Sequence, residues 1–558
     1  MQRWFRFALA LSLFLALSPL AAAQQQPAPA AEPPVFGEEL DVRVVNVEVV
    51  VTDKQGNRVS GLKPEDFRLR VDGKEVPIEY FTEVKEGRSV APAAAVAEGE
   101  PAESGAAQGV SAEGAVPTWY LVFVDDYFSI AAHRNAALKG LKDDLGRLGP
   151  NDRMAIVSWS GGRLSLMSNW SGSQSDLARA LDQAMERPAR GFDRAREYQT
   201  FQRDEQFART ATADGGVLDL AVTSTGLNER ESAYADGLVR QIQAAVGATV
   251  SAMRGFAAPE GRKVMLLLSG GWPFSPQTFV RANIPPSRSM EDGEQLFRRL
   301  TDTANLLGYT IYPVDVPGIQ REAASAQAEG PADLSVLNLG EQEIEGSLEY
   351  IARQTGGKSM VNSNRAVALA RASEDTRSYY WLGFSPSWQR NDKTHAVKVE
   401  MRQRGLEVRS RTGFLDLSRK AEVSMKVESA LTFGNLPGAL PLPIQVGPVT
   451  ETKKRGEREV TVTVAVPVDL LTVVPVNGKY TSQVELRFAA SDADGNTSVI
   501  PVLPVTFTSD KQPTPGKAVK YETKVKLRGK ADHLVVAVYD PLSGRIATAE
   551  TDIKLESR

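Results

Sequence analysis

Apolar residues are most concentrated at residues 119–129, where an unbroken apolar and aromatic run from Trp119 to Val124 leads into Asp125. A run of this length that ends in a polar turn is typical of a strand buried on both faces. Apolar residues then recur at three- and four-residue spacing between residues 137 and 148, which predicts a helix. After a Gly-Pro turn, the run Met154–Trp159 predicts a second buried strand. Together they predict one crossover unit of a parallel sheet.

The same alternation of apolar runs and helical stripes continues to residue 385. Apolar runs at residues 262–271, 309–315 and 379–384 predict a third, a fourth and a fifth strand. We therefore expect an α/β domain at residues 117–385, with a doubly wound, mostly parallel, Rossmann-like sheet. Because ligands of such sheets bind at the carboxyl ends of the strands, the functional site is expected at residues 125–129.

One segment of this domain, residues 187–231, lacks the apolar pattern of its surroundings. It is polar, and we interpret it as an irregular insertion on the ligand-facing side of the sheet. Residues 192–201 are its one helical candidate.

On both sides of the α/β domain, apolar and polar residues alternate with the two-residue period that is typical of β-strands. Residues 36–85 alternate apolar and polar side chains around two turn sequences, which predicts a small β module. Residues 86–116 are rich in Ala, Gly and Glu, which predicts a flexible linker. Residues 386–418 predict a β-hairpin extension. The pattern is then purely β, which predicts an immunoglobulin-like β-sandwich at residues 419–558.

The N-terminus has the pattern of an export signal. Arg3 and Arg6 precede the apolar stretch Phe7–Leu17, and Ala21–Ala23 provide small residues for cleavage before Gln24. A membrane anchor is the alternative, but the stretch is short of the about 20 residues that a span needs. We therefore predict a signal peptide at residues 1–23 and a disordered spacer at residues 24–35. The mature protein is expected in the periplasm or outside the cell, without a transmembrane segment.

Composition and charge narrow the range of functions. The chain has 558 residues, which is too many for one hydrophobic core and predicts several domains. Its net charge is −4 and no basic tract occurs, so nucleic acid is not an expected partner. The chain has no cysteine, which excludes thiolate metal sites and cysteine nucleophiles.

Sequence signatures of catalysis are also missing. His133, His395 and His533 fall in different predicted modules, so we do not expect a zinc site built on histidines. The chain contains no H-E-x-x-H motif, no phosphate-binding loop and no G-x-S-x-G elbow. We therefore predict a protein that is not an enzyme.

Several motifs together resemble the acidobacterial von Willebrand factor A (VWFA)-related domain proteins, which are exported and combine a β-rich leader with a VWA-like domain. The motifs are Val51–Gly56, Leu62–Phe67, Val122–Asp126, Gly149–Arg153, Gln354–Gly357, Arg377–Pro386 and Arg409–Phe414. The resemblance rests on the order and spacing of these motifs, and it spans residues 44–414. The C-terminal β region lies outside it.

This resemblance implies a metal-ion-dependent adhesion site in degenerate form. Such a site binds Mg²⁺ through an Asp-x-Ser-x-Ser loop after the first strand, and Asp125 and Ser129 match that loop. Tyr127 replaces the middle serine, and Gly270 stands where a second carboxylate is usual. Asp126 is a further weak metal candidate. We expect no cofactor, with Mg²⁺ as the alternative, because Asp125 can equally cap a turn without a metal.

Protein binding is the function that we predict. The partner-binding candidates are the aromatic residues after the first and third strands: Tyr127, Phe128, Trp272 and Phe274. Exposed, they would form a contact surface; buried, they would only pack. We expect an exported adhesion or scaffold protein that binds an unidentified protein through the top face of the VWA-like domain. The alternatives are an envelope hydrolase that uses a carboxylate pair such as Asp125 and Asp126, or a purely structural envelope protein.

Overall fold

The computed structural model describes most of the chain beyond residue 43. The described ranges are 44–90, 116–162, 164–214, 220–256, 262–280, 286–316, 334–361, 367–387, 389–433, 440–454, 457–491, 501–528 and 533–553. The predicted signal peptide, the spacer and most of the predicted linker therefore lie outside the described residues. Among the helices of the described residues, none has the length together with the hydropathy that a membrane-spanning segment requires.

The first five strands of the described residues all make antiparallel pairs. They are β1 (Val45–Asp53), β2 (Phe67–Val71), β3 (Lys74–Val76), β4 (Tyr80–Lys85) and β5 (Arg88–Ser89). One of the two turn sequences of this region, Asp72-Gly73, joins β2 to β3, with φ values of 48° and 79° that suit a two-residue hairpin. Val45, Val47, Val49 and Val51 of β1 are buried in one core, as the alternation predicts, and Val50 is buried in a second cluster.

An α/β unit follows. Its strands are β6 (Thr118–Asp125), β7 (Arg153–Trp159), β8 (Leu164–Ser171), β9 (Arg262–Ser269) and β10 (Tyr309–Asp315). Its helices are α1 (Ala131–Asp143), α2 (Gln174–Glu186), α3 (Gly191–Asp214), α4 (Leu220–Gly255), α5 (Pro276–Val280), α6 (Pro286–Leu307), α7 (Leu334–Gln354) and α8 (Ala368–Thr376). The 3₁₀ turns of the described residues include Leu145–Arg147 in this unit, and Pro64–Asp66 and Val468–Leu470 outside it.

The sheet of this unit has the strand order β10-β9-β6-β7-β8. All neighbours are parallel except the edge pair of β7 and β8. Val122 lies in the centre, between Ile156 of β7 and Leu266 of β9. Helices α4, α6 and α7 cover one face, and α1, α2 and α8 cover the other. The four apolar runs that predicted β6, β7, β9 and β10 are thus buried on both faces.

The strands after this unit return to the first five. They are β11 (Tyr379–Phe384), β12 (Lys393–Met401), β13 (Leu406–Ser410) and β14 (Gly413–Asp416). One sheet has the order β13-β1-β11-β4-β5 and another the order β14-β12-β2-β3, with a shared core of apolar side chains. The α/β unit is therefore inserted between two halves of one β-sandwich.

Two predictions about these strands are wrong. β11 was expected as the fifth strand of the α/β sheet, but it pairs with β1 and β4. Its Leu382 faces the sandwich core and its Trp381 faces a second cluster with Val50 and Val116, so it is buried on both faces in an antiparallel sheet. The expected hairpin at residues 386–418 does not form either, because β12 pairs with β2 and β14 whereas β13 pairs with β1.

The C-terminal region starts with helix α9 (Arg419–Phe433), so the prediction of a purely β pattern is wrong there. The strands that follow are β15 (Leu440–Pro441), β16 (Ile444–Glu451), β17 (Glu457–Pro467), β18 (Val474–Val476), β19 (Lys479–Ser491), β20 (Val502–Ser509), β21 (Ala518–Arg528), β22 (His533–Tyr539) and β23 (Ile546–Asp552). They form a six-stranded and a three-stranded sheet around one apolar core. Val427 and Leu431 of α9 pack against β19 and β22. The sequence Asp494-Gly495-Asn496 is typical of a turn, and it lies outside the described residues.

Buried charges join the amino end of the parallel sheet to the β-sandwich. Arg262, at the start of β9, is fully buried, with its Nε 3.1 Å from Glu48 Oε2 of β1. Its Nη1 donates to the Thr376 carbonyl oxygen at 2.7 Å, and its guanidinium lies 4.0 Å from the centroid of the Tyr379 ring. One side chain of the α/β unit thus contacts two strands of the sandwich sheet.

Candidate functional site

The carboxyl ends of β6 and β9 flank the topological switch point of the parallel sheet. From β6 the chain passes to β7 on one side, and from β8 it returns to β9 on the other side. A crevice at such a point is where open α/β sheets bind ligands. Asp125 is the last residue of β6 and Ser269 the last of β9, so the predicted site lies at this position.

Asp125 is fully buried and accepts four hydrogen bonds from its own chain. Its Oδ1 accepts from the backbone N–H groups of Tyr127 and Phe128, both at 3.1 Å. Its Oδ2 accepts from Ser269 Oγ at 2.7 Å and from Trp272 Nε1 at 2.8 Å. A carboxylate has about four lone-pair positions, so all of them are used. The alternative that Asp125 caps a turn is confirmed.

Burial controls the acidity of this carboxyl group. Burial raises the pKa of Asp125 from 3.8 to about 6, while the hydrogen bonds from Ser269, Phe128 and Trp272 act in the opposite direction. The charge of Asp126 makes a smaller contribution in the same direction as burial, and the value of about 6 includes it. The group is therefore ionised at neutral pH, and neutral donors hold the charge.

Asp126 is also fully buried, but its partners are cations on the other side of the strand end. Its Oδ1 lies 2.6 Å from Arg134 Nη1 of α1, and its Oδ2 lies 3.3 Å from Arg187 Nε. Ser158 of β7 also donates to it. Asp125 and Asp126 therefore have their partners on different sides of the strand end, as neighbouring residues of a strand do. Arg134 also donates to backbone carbonyls at the end of α2, so this pair fixes the loop to its neighbours.

Three glycines enclose the loop between β6 and α1. A Cβ atom added at Gly191 would lie 2.4 Å from the Ser129 carbonyl carbon, and one at Gly161 would lie 2.6 Å from the Tyr127 ring. One at Gly270 would lie 2.0 Å from the Phe128 carbonyl oxygen. Real Cβ atoms do not approach so closely, so the loop is packed against backbone on three sides.

These contacts bear on the Mg²⁺ site that the resemblance implies. Any side chain at position 270 would collide with the loop, so a second carboxylate has no room there. The Ser129 hydroxyl is buried and has no hydrogen-bond partner among the described residues, but Asp125 has no free lone pair to bind an ion beside it. Mg²⁺ needs an octahedron of oxygens and enough negative charge to replace its waters. The residues present do not fit this ion.

The aromatic candidates are mostly interior. Trp272 and Phe128 are fully buried, and the Trp272 ring stacks on Phe297 at 6.1 Å between centroids. The exposed-surface alternative is therefore wrong for both. Phe274 is half-buried against Phe297. Tyr127 is half-buried, and its hydroxyl accepts from Arg194 at 3.0 Å.

The insertion forms a helical cover over this edge, which contradicts the prediction of an irregular segment. Helices α3 and α4 occupy most of residues 187–231, and the helical candidate 192–201 is confirmed as part of α3. An aromatic cluster joins α3, α4 and α5: Tyr198, Phe201, Tyr234 and Phe279. The backbone N–H of Gly191 donates to the Ser129 carbonyl oxygen at 3.0 Å. We call α3 and the adjoining part of α4 the roof.

Sequence reasoning missed the partners of both carboxylates. Arg134 lies three and four residues before Ala137 and Leu138, on the face of α1 that packs against the sheet. An arginine in an apolar stripe is a signal of a buried ion pair, since such a charge is seldom buried alone. Ser269 gave no comparable signal, because a serine at a strand end is common.

Two of the three histidines, His395 and His533, each lie close to an aspartate of a neighbouring strand or turn. His395 Nδ1 lies 2.7 Å from Asp72 Oδ2, and His533 Nδ1 lies 2.9 Å from Asp552 Oδ1. Among the described residues, no group of three or more His, Cys, Asp or Glu side chains is arranged to hold a metal ion. Both carboxylates of the hydrolase alternative, Asp125 and Asp126, are closed off from solvent.

A comparison with protein-family models finds no match to this chain, and a comparison with curated proteins finds none either. The resemblance to VWFA-related proteins therefore stays a prediction that rests on the motifs and their spacing. The mixed parallel sheet and the antiparallel sheets are features of the structure itself.

Proposed function

We propose that this chain is an exported protein-binding protein, an adhesion or scaffold protein, that acts without a metal ion. The observation that carries the proposal is the state of Asp125. All four of its acceptor positions are filled by donors of the same chain, in a crevice that backbone contacts close. A group so enclosed serves the fold, and binding is left to the outer surfaces.

The fold part of the proposal is a VWA-like α/β unit with an immunoglobulin-like C-terminal sandwich. The central position of β6 and the helices on both faces support the first. Two sheets whose strands are antiparallel except for the short pair of β15 and β23, packed around a common core, support the second. The roof lies where loops would otherwise form the top face, so partner contacts are assigned to the roof and not to Trp272.

Metal independence is tested by calorimetric titration of the purified protein with Mg²⁺, Mn²⁺ and Ca²⁺. We expect no micromolar binding by the parent protein and the same result for Asp125→Ala. Micromolar binding that disappears in Asp125→Ala would overturn the metal-independent site.

Partner binding is tested by photo-crosslinking in intact cells. A photoreactive phenylalanine analogue replaces Phe207 in the roof, which is 75% exposed, or Val474 in the C-terminal sandwich, which is 40% exposed. We expect protein adducts at position 207, fewer at position 474, and no effect of EDTA. Adducts that disappear with EDTA would contradict the proposal.

The hydrolase alternative and the export prediction have direct tests. Turnover of a peptidase, esterase or glycosidase substrate that is lost in Asp125→Asn would favour the hydrolase. N-terminal sequencing of the envelope fraction should find a chain that starts at or near Gln24. An intact Met1 in the membrane pellet would show an anchor instead.

A further inference from the structure

Helix α3 has a sharply divided surface. Its buried side includes Ala195 and Tyr198, and the Tyr198 ring packs against Tyr234 of α4 and Phe279 of α5. Its exposed side carries two large aromatic residues, Phe192 and Phe207, with 47% and 75% of their surface accessible. Exposed phenylalanines are unusual on a charged helix and are typical of contact surfaces.

The charges on the exposed side are sorted by sign. At about 100° per residue, Arg196 and Arg203 fall within about 20° of each other around the helix. Asp193, Glu197 and Asp204 fall within about 40° of one another on the other side of Thr200. The exposed side of α3 therefore has a basic row and an acidic row, with Thr200 between them and Phe207 close to this midline.

Such a face is complementary to itself in one orientation. When two copies of α3 pack face to face and parallel, about a twofold axis along the helices, the basic row of each faces the acidic row of the other. In an antiparallel pair, basic row would face basic row, and like charges would repel. A two-fold pair needs one self-complementary patch, and α3 provides it.

We infer that the roof binds a second copy of this chain through a parallel pairing of the α3 helices. Arg196 and Arg203 then face Glu197 and Asp204 of the other copy at nearly equal heights, and Phe207 packs near its own equivalent. Within one chain, Arg194 lies 2.6 Å from Glu197 and Arg203 lies 3.8 Å from Asp204. Arg194 is mostly buried, but Arg203 and Asp204 are both exposed, and such a pair contributes little to stability, so it can exchange for contacts between copies.

The pairing should be weak. One face of a 24-residue helix is a small interface, and interfaces that bury less than about 1,200 Å² in total belong to transient complexes. Association is therefore expected to depend on protein concentration and on ionic strength, because charge rows supply much of the specificity. This inference rests on the proposed function, since it names a partner for the roof.

Charge reversal provides the first test, by sedimentation over a range of concentrations at low salt. The double variant Arg196→Glu with Arg203→Glu should be monomeric, and so should Glu197→Arg with Asp204→Arg. An equimolar mixture of the two should associate at least as strongly as the parent chain. A parent chain that stays monomeric, or a mixture that does not associate, would overturn the inference. Circular dichroism checks that each variant is folded.

Single cysteines provide the second test, which is clean because the chain has none. In a parallel pair, Thr200→Cys and Phe207→Cys should each form a disulfide with the other copy under mild oxidation. An antiparallel pair centred on Thr200 would crosslink at position 200 alone, and that result would overturn the parallel arrangement. Gln174→Cys, on the exposed side of α2, measures random crosslinking. Absence of any pairing together with photo-crosslinks to another protein would defeat self-association and leave the proposed function standing.

Discussion

Asp125 is a fully buried carboxylate and Asp375 a carboxylate with 16% of its side chain exposed; they lie at opposite ends of the parallel sheet and have different partners. Asp125 accepts hydrogen bonds from neutral groups only, and burial raises its pKa to about 6. The pKa of Asp375 is shifted in the opposite direction. Burial alone would raise its pKa, but the cations of Arg409 and Arg58 lower it below the ordinary value. Arg409 Nη2 lies 2.6 Å from Asp375 Oδ2, and Tyr312 donates to the same oxygen at 2.6 Å.

The difference shows two uses of buried charge. At the carboxyl end, the partners of Asp125 and Asp126 all belong to the α/β unit, so the charges close its own crevice. At the amino end, Arg58 and Arg409 come from the β-sandwich, so the charges join two units. Removing a partner at the first end should loosen a loop, whereas removing one at the second should separate units.

The largest effect is expected at the carboxyl end for Arg134→Met. This change leaves the fully buried Asp126 with Arg187 as its only cation among the described residues. Breaking a buried ion pair costs about 3–5 kcal/mol. Because Arg187 remains close to Asp126, we expect a loss of about 3 kcal/mol in the free energy of unfolding. Urea unfolding measures it. The double variant with Asp126→Asn should regain part of the loss, and a double variant as unstable as the single one would contradict the role of the charge.

Gly270→Ala should destabilise by about 3 kcal/mol, the upper end for overpacking, because the new Cβ meets a backbone oxygen that cannot rotate away. Thermal unfolding provides the measurement. The matched control is Gly247→Ala within α4, where an added Cβ meets nothing within 4 Å. Alanine there should stabilise by about 0.5–1 kcal/mol, because glycine is a poor helix residue. Equal effects at the two positions would show that the crevice is loosely packed.

The pH dependence of stability should have opposite signs for the two carboxylates. Since the folded pKa of Asp125 is raised, the folded state holds its proton more tightly, and the stability it contributes is lost as pH rises from about 4 to about 6. A shift of about two units corresponds to roughly 2–3 kcal/mol. Asp125→Asn should therefore remove a negative slope of unfolding free energy in that window.

Asp375→Asn serves as the matched control for this experiment. Its folded pKa is lowered, so its contribution is present above its ordinary pKa of 3.8 and is lost only as pH falls below that value. The slope between pH about 4 and 6 should stay the same in this variant. Equal changes of slope in Asp125→Asn and Asp375→Asn would contradict this comparison. They would show that the neutral donors of Asp125 and the cations near Asp375 have the same effect on the pKa of the carboxyl group.

The smallest effect is expected at the amino end for Arg262→Met. The change leaves Glu48 without this cation, but Glu48 is 16% exposed and keeps some contact with water, so the cost should be about 2 kcal/mol. The diagnostic readout is cooperativity. We expect Arg262→Met to unfold in two transitions and to be cleaved between the two units in limited proteolysis. Arg134→Met should keep a single transition. A single transition in Arg262→Met would mean that apolar contacts alone join the units.

The sequence predicted the centre of the fold well and its connections poorly. The apolar runs of β6, β7, β9 and β10 are long and continuous, so their burial in a parallel sheet could be inferred. The run of β11 is equally continuous, but a pattern reports burial and not the identity of the neighbouring strand. The pattern indicated only residues 192–201 of helix α3 and missed its full length, because only a narrow stripe such as Ala195 and Tyr198 is buried and much of the remaining surface is polar.

The candidate site divides in the same way. The position of Asp125 at the end of a central strand followed from the apolar run that precedes it. Its partners could not be predicted, because Ser269 and Trp272 lie far along the chain and are brought to it by the strand order. The indole N–H of Trp272 was a hint, since a buried tryptophan usually finds an acceptor.

The insertion of the α/β unit within the β-sandwich also sets the order in which the molecule can assemble. Val49 of β1 pairs with Tyr380 of β11, a residue that is synthesised only after the whole α/β unit. The edges of β1, β2 and β4 that pair with β11 to β13 therefore stay unpaired until the α/β unit has folded and has brought these later strands next to them. Contacts so distant along the chain form slowly, and unpaired edges are prone to aggregation. The yield of folded protein should therefore depend on how fast the α/β unit folds. That unit includes the crevice that is closed by the hydrogen bonds of Asp125.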